Sequence, residues 1–357
     1  MSLHSRPRVG VLGAGQLALM LAEAGKKIGV EVICAGNPHD CAAQVAPVIS
    51  THLHSSKAVA DFAKNVDIVT VESENIDAHV LEGLNLAPNT RAIGTAQDRL
   101  LEKRFFTHCG ISVAPFAPVD SLEDLQIAIP EIGLPAILKT RRMGYDGKGQ
   151  VRLRRAEDAA HAWEKVHQVP CILEGFVPFD SEVSLIAARN HTGDEVFYPL
   201  TENHHSHGIL RVSSAPARPH LQPQAEGYMK LLLESLDYVG VLAVEFFVRD
   251  RQLIANEMAP RVHNSGHWTI EGSATSQFEN HLRAILDMPL GSTVSKPTVM
   301  LNCIGTMPSL DETNPYPVIA RHDYGKTFRP GRKVGHLTIP ATEHSVTEHW
   351  KHRLRDE

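Results

Sequence analysis

No stretch of this 357-residue chain approaches the roughly 18 consecutive apolar residues that a membrane-crossing helix requires. Cysteine is sparse. Cys34, Cys41, Cys109, Cys171 and Cys303 are scattered, odd in number and contain no CxxC pair. That excludes a disulfide frame or a cysteine-built zinc site and fits reduced thiols in a cytosolic protein. Positive charge is not in excess, with 35 Lys and Arg against 41 Asp and Glu for a net charge of −6. A nucleic-acid partner therefore gains no electrostatic support. Internal repeats, low-complexity tracts and long flexible linkers are missing, and no secretory leader precedes the first strand. What is present is ordinary for a globular, cytoplasmic protein: 43% hydrophobic and 21% charged residues, in a chain long enough for two or three cores.

Two zinc motifs are weighed and set aside. His204, His205 and His207 form the tightest histidine cluster, but neither a cysteine nor a well-spaced acid joins them. His263 and His267 stand four apart, yet Asn264-Ser265-Gly266 between them reads as a loop, so the helical geometry of HExxH is lacking.

Hydrophobic periodicity organises the rest. A strand over 8–12, the turn Gly13-Ala14-Gly15, a helix over 16–28 and strands over 30–35 and 67–71 alternate as in a Rossmann-like parallel sheet. A helix over 98–109 opens a second unit. It continues with strands over 136–140, 151–154, 171–177, 182–188 and 195–200, and helices over 156–166, 224–236 and 277–286. The fold class expected is α/β, with a Rossmann-like domain over 1–97, a second domain of α+β character over 98–293 and a small C-terminal domain over 294–357.

The segment from Gly240 to Thr269 carries the strongest chemical signal. Two apolar, β-rich runs flank a polar turn, which predicts a hairpin. A turn centred on Arg251 pairs Glu245 with Glu257 on one face. Like charges directly opposite are unfavourable, by roughly 4 kcal/mol at about 4 Å and an effective dielectric of 20. A divalent cation reverses that sign, and Mg²⁺ takes carboxylate oxygens together with substrate phosphates.

Other motifs are weaker singly. Gly13-Ala14-Gly15-Gln16-Leu17-Ala18 fits GxGxxG/A, but the end of the second strand lacks the acid that an NAD ribose requires, so the reading is either an anion seat or a plain tight turn. The RRMGYDGKGQ segment is not Walker A; its glycines and Lys148 suit a hairpin lid over phosphates, with Lys139 on the preceding strand. The strand through Glu174 loses regularity at Gly175 and is read as an edge able to present backbone groups to a purine. Arg261, His263 and Asn264 suit a small planar anion. Lys326, Arg329, Arg332 and Lys333 suit a phosphate monoester.

The order of these motifs resembles the ATP-grasp superfamily. Within it, GYDGKGQ, NEMAPRVHNSGHWT and RPGRKVGH resemble the N5-carboxyaminoimidazole ribonucleotide synthase family, ATP-dependent carboxylases of purine biosynthesis, over nearly the whole chain. The resemblance implies a Rossmann-like pre-ATP-grasp domain, an ATP-grasp domain and a small C-terminal domain. It implies ATP contacts from Arg99, Lys139, Gly144, Tyr145, Asp146, Gly147, Lys148, Gly149, Gln150, Glu174, Gly175, Phe176, Val177, Glu182, His205, Asn256 and Glu257. Glu245 and Glu257 would hold Mg²⁺, for which Mn²⁺ can substitute. Arg261, His263 and Asn264 would serve bicarbonate and carboxyphosphate. Glu74, Tyr145, Asp146, Lys326 and Arg332 would contact 5-aminoimidazole ribonucleotide, with Lys333 close by. A homodimer without nucleic acid or membrane is the family expectation. The chain departs from the family pattern at Ala18-Leu19, at Val71 and Ser73, and in a short tail after His336. Alternatives are another ATP-grasp carboxylate–amine ligase, a formate-dependent transformylase, an NAD-dependent dehydrogenase or a non-catalytic nucleotide-binding module.

Overall fold

The computed structural model describes residues 6–144 and 148–354. Among these, the strands form three sheets. The first holds β1 (Arg8–Leu12), β2 (Glu31–Gly36), β3 (Val48–Ser50) and β4 (Ile68–Val71), all parallel in the order β3-β2-β1-β4. Helix α1 (Gln16–Ile28) crosses between β1 and β2 and ends at Gly29, whose φ of 75° is a left-handed stop that glycine adopts without strain. Lys26 and Lys27 in its last turn oppose the negative end of the helix dipole. This is the Rossmann-like winding expected from the alternation of strand and helix.

The second sheet comprises β5 (Phe116–Val119), β6 (Ala136–Thr140), β7 (Gln150–Leu153) and β8 (Cys171–Gly175), antiparallel in the order β5-β8-β6-β7. The edge-strand reading of β8 is wrong. β8 lies between β5 and β6, so its backbone is committed to the ladder through Gly175. An apolar run of five residues reads the same in an edge strand as in a central one, and only pairing separates them.

Helix α2 (Arg99–His108) precedes this sheet. Its cap is Asp98, which accepts from the Leu100 and Leu101 amides and is gripped by the Arg141 guanidinium at 2.7 and 2.9 Å.

The third sheet is the largest. It contains β9 (Ser181–Arg189), β10 (Glu195–Phe197), β11 (Thr201–Ser206), β12 (Ile209–Ala215), β13 (Gly240–Arg249), β14 (Gln252–Ala259), β15 (Thr298–Ile304), β16 (Ala320–Asp323) and β17 (Lys333–Pro340). Its order is β14-β13-β9-β11-β12-β15-β17-β16, with β10 on β9. The C-terminal strands thus extend the same sheet as the central domain. Trp350, Leu301, Leu337 and Ile339 pack into their own core against it.

Helix α3 (Gln277–Ile285) joins the first domain to the large sheet. Phe278 and Leu282 share one core with Leu17, Met20 and Leu21 of α1. The Val241 amide donates to His281 Nδ1 at 3.1 Å, so the neutral ring carries its proton on Nε2 and donates to Thr70 Oγ1 at 2.8 Å. Burial lowers the pKa of His281 to about 4, keeping that arrangement intact.

Candidate active site

The acidic hairpin reaches its pairing by a different route from the one its spacing suggested. Its turn is Asp250-Arg251, both left-handed at φ 51° and 60°, as a two-residue turn matching strand twist requires. Arg249 pairs with Gln252 and Phe246 with Ala255. That register alone would set Glu245 opposite Asn256. A bulge shifts it, and Glu245 stands opposite Glu257. Ser184 on β9 lies on the other side of Glu245.

Both carboxylates open into a cavity of about 360 Å³ to which all three parts of the chain contribute: Glu72 and Glu74 after β4, Arg99 and Glu102 from α2, Arg261 and His263 after β14, and Lys333 at β17. Arg99 Nη1 donates to Glu257 Oε2 at 2.8 Å. Burial raises the carboxyl pKa of Glu257, but Arg99 outweighs it and holds the group low. Glu245 gains no comparable arginine among the described residues. Burial, then the charge of Glu257, push it up to about 7. His263 Nε2 lies 3.8 Å from Glu245 Oε1.

The loop after β14 is tied to the surrounding structure. Arg261 forks onto Glu74, with Nε to Oε2 at 2.6 Å and Nη2 to Oε1 at 3.2 Å. The Asn264 and Asn302 amides exchange reciprocal hydrogen bonds at 3.1 and 2.7 Å. The Ser265 amide donates to His263 Nδ1 at 3.3 Å, leaving the ring proton on Nε2, towards the cavity. Burial, then Arg261, lower the pKa of His263 to about 3, so it is neutral and a donor.

The comparisons with known proteins agree along the chain. Residues 7–97 match the ribonucleotide synthetase preATP-grasp domain, 104–278 the ATP-grasp domain and 298–349 the phosphoribosylaminoimidazole carboxylase C-terminal domain. An N5-carboxyaminoimidazole ribonucleotide synthase of Pseudomonas aeruginosa is 46% identical over 347 residues, 96% of each chain. The chain belongs to the N5-carboxyaminoimidazole ribonucleotide synthase family. The crystal structure of the synthetase from Thermus thermophilus superposes with a TM-score of 0.90 at 48% identity, covering 96% of each chain. That of the Aspergillus clavatus synthase, in complex with ADP and 5-aminoimidazole ribonucleotide, superposes at 0.89 with 30% identity over 98% of each. The protein is thus an ATP-grasp ligase of purine biosynthesis that carboxylates 5-aminoimidazole ribonucleotide with consumption of ATP.

Within this family's architecture, the sequence-derived residues fall into two groups. Glu74, Arg99, Gly144, Glu245, Glu257, Arg261, His263, Asn264 and Lys333 line the cavity. A second group flanks it. Lys139 Nζ donates to Glu174 Oε2 at 2.9 Å, and burial of Glu174 is outweighed by Lys103 and Lys139, which hold its pKa at about 2. His205 Nδ1 meets Glu182 Oε2 at 2.9 Å across β11 and β9. Gly149 and Gln150 lead into β7, Gly149 with φ 69°. The Gly175 and Phe176 amides donate to Pro115 and Pro135 carbonyls, Arg152 stacks 4.0 Å over Phe176, and Val177 is buried. Asn256 is the bulge residue, and its buried Oδ1 has no partner among the described residues. Lys326 bonds Gln16, while Arg332 has Nη1 on Thr327 at 3.3 Å. Lys148 lies just before β7; Tyr145, Asp146 and Gly147 lie outside the described residues.

Sequence reasoning missed Glu72, Glu102 and Lys103. The Glu72 carboxylate occupies the amino end of α1, accepting from the Gly15 amide at 2.7 Å and the Ala18 amide at 3.1 Å. A Cβ on Gly13 would come 2.2 Å from the Glu72 side chain, and one on Gly15 2.8 Å from its oxygen. These glycines make room for a carboxylate of the chain itself, which closes the dinucleotide seat. Glu102 and Lys103 are 2% and 1% exposed. On a helix rich in charge, both read as solvent-facing, and no local pattern marks them.

Proposed function

We propose that the cavity between Glu74, the Glu245–Glu257 pair and Lys333 carboxylates 5-aminoimidazole ribonucleotide with bicarbonate, through carboxyphosphate. The observation that carries this reading is the cross-strand carboxylate pair facing a cavity shared by three domains. The pair fits Mg²⁺. It offers hard oxygen donors, burial and mutual repulsion raise Glu245 to about 7, and among the described residues no set of three or more His, Cys, Asp or Glu builds a full protein cage. Mg²⁺ commonly completes such a partial set with phosphate oxygens. When bound, the ion supplies charge neutralisation for phosphoryl transfer.

The remaining chemistry is assigned to the chain's own side chains. A bicarbonate oxygen attacks the γ-phosphorus, the bond to the ADP oxygen breaks, and ADP leaves. Lys139 and Arg99 place positive charge towards the phosphates. Neutral His263 donates from Nε2 to the anion, and it is no base at that atom. Arg261 has its fork on Glu74, so a planar anion must share it or separate the pair. The exocyclic amine nitrogen then bonds the carboxyl carbon, the C–O bond to phosphate breaks, and the proton lost from nitrogen leaves with the phosphate. Lys326, Arg332 and Lys333 hold the substrate's 5′-phosphate, and Glu74 faces its amine-bearing ring. ATP occupies the Lys139–Glu174, Glu182–His205 and Asn256 side. The domain limits at 97/98 and 293/294 belong to the same proposal, and the homodimer rests on the family resemblance alone. Among the described residues no helix is long and apolar enough to cross a membrane.

The test is phosphate release from ATP and bicarbonate, with and without 5-aminoimidazole ribonucleotide, with the product followed by ¹³C-bicarbonate incorporation. Stimulated release with label in the product is expected. Release that ignores bicarbonate would exclude carboxyphosphate.

A further inference from the structure

β14 is the outer strand of the large sheet, with β13 on one side and, among the described residues, no strand on the other. Its free backbone groups must find partners elsewhere or remain exposed at the site. The Ala255 amide donates to the Ser112 carbonyl at 2.8 Å. Beyond that point, two consecutive side chains of α2 take over. Lys103 Nζ donates to the Ala255 carbonyl at 3.3 Å and the Asn256 carbonyl at 2.7 Å. The Met258 amide donates to Glu102 Oε1 at 2.6 Å. Glu257 therefore stands between a clamped carbonyl and a clamped amide.

The clamp falls where the hairpin is least determined. The bulge lies between Glu245/Phe246 and their partners, and it alone brings Glu257 opposite Glu245. A bulged residue has no ladder partner to fix it. Burying a carboxylate and an ammonium to cover a strand edge is costly unless both are held in good geometry. Lys103 also lies 3.5 Å from Glu174, so the clamp connects with the Lys139 pair.

We propose that Glu102 is a positioning residue: by accepting the Met258 amide it locks the bulged register and so sets the separation of the Glu245 and Glu257 carboxylates. This rests on the reading of that pair as a divalent-cation site. The clamp acts through the backbone, so an uncharged acceptor of the same length suffices.

The test compares wild type, E102Q, E102A and E257Q as full-length proteins. Mn²⁺ binding in the presence of ADP is read by electron paramagnetic resonance, and Met258 amide exchange is read in the metal-free protein. E102A is expected to weaken Mn²⁺ by roughly 10- to 100-fold, the usual cost of losing a group that orients a metal ligand, and to speed exchange at Met258. Excess Mg²⁺ should restore its turnover. E102Q is expected to keep both the Mn²⁺ affinity and the amide protection. Wild-type Mn²⁺ affinity in E102A overturns the proposal. So does an E102Q that binds Mn²⁺ about 10-fold or more weakly than wild type, because charge and not backbone geometry would then be at work; this arm needs no E102A and remains decisive if E102A does not fold. Wild-type Mn²⁺ affinity in E257Q means that the cation-site reading has failed, and the positioning role falls with it.

Discussion

Two carboxylate sites face the same cavity and are treated in opposite ways. At the amino end of α1, Glu72 commits both oxygens to the Gly15 and Ala18 amides. The positive helix terminus, a ready anion site, is met from within the chain. At the hairpin, Glu245 faces Glu257 with Arg99 on one of the two. One site is complete without a ligand; the other is electrostatically unfinished. The glycine turn that looks like a nucleotide signature is therefore a structural device, and the acidic hairpin is where the proposed cation would sit.

The largest effect expected is on the unfinished site. E257Q should abolish phosphate release at every Mg²⁺ concentration while leaving the circular dichroism spectrum unchanged; wild-type turnover at saturating Mg²⁺ would break the comparison. Next comes the basic loop opposite. A charge-assisted contact contributes roughly 1.5–3 kcal/mol, so R332A should raise KM for the ribonucleotide by about 10- to 150-fold and leave KM for ATP alone. Steady-state kinetics varying each substrate separately decide this.

Stability sharpens the contrast further, because the two carboxylates should respond with opposite signs. In the metal-free protein Glu245 has its pKa raised from 4.5 to about 7, so the folded state binds the proton more tightly than the unfolded chain. The charged form is penalised above pH 7, and the penalty fades as pH falls towards 4.5. E245Q should thus stabilise the metal-free protein at pH 8, by up to about 3 kcal/mol, and hardly at pH 4.5. E72A should destabilise it instead, by about 0.5–2 kcal/mol, since the part-buried Gly15 and Ala18 amides at the start of α1 lose their acceptor. Thermal unfolding at both pH values reads the two variants side by side. The last test concerns the acid limb. His263 and His281, lowered to about 3 and about 4, are neutral when folded and take up protons on unfolding below pH 6.5. Stability from these groups is present above pH 6.5 and lost as pH falls towards 4; in E245Q, which lacks the opposing trend of Glu245, a flat melting temperature over that window would contradict it.

Much of the fold was legible because its signals are local. The parallel alternation of β1, α1, β2 and β4, the existence of α2 and the β13–β14 hairpin follow from residues near one another. β11 and β12 went unassigned. Their polar residues, among them Glu202, Asn203, His204 and His205, form strands because β9 and β15 pair with them on either side. The placement of β8 failed for the same reason. In the site, residue types indicated the chemistry, but the partners came from afar. Arg261 meets Glu74 across 187 residues, and Met258 meets Glu102 across 156.

The sequence by itself determined the repeating elements and which side chains could carry charge to a nucleotide, because strand and helix periods are written into consecutive residues. It also placed two glutamates on facing strands. The tertiary structure alone decided that a bulge at Asn256 brings those glutamates opposite each other, and that α2 holds that bulge with two buried side chains. It decided, too, that the anion at the α1 terminus is Glu72. A register shift and a buried charge are settled by what packs against them, and no window of neighbouring residues contains that information.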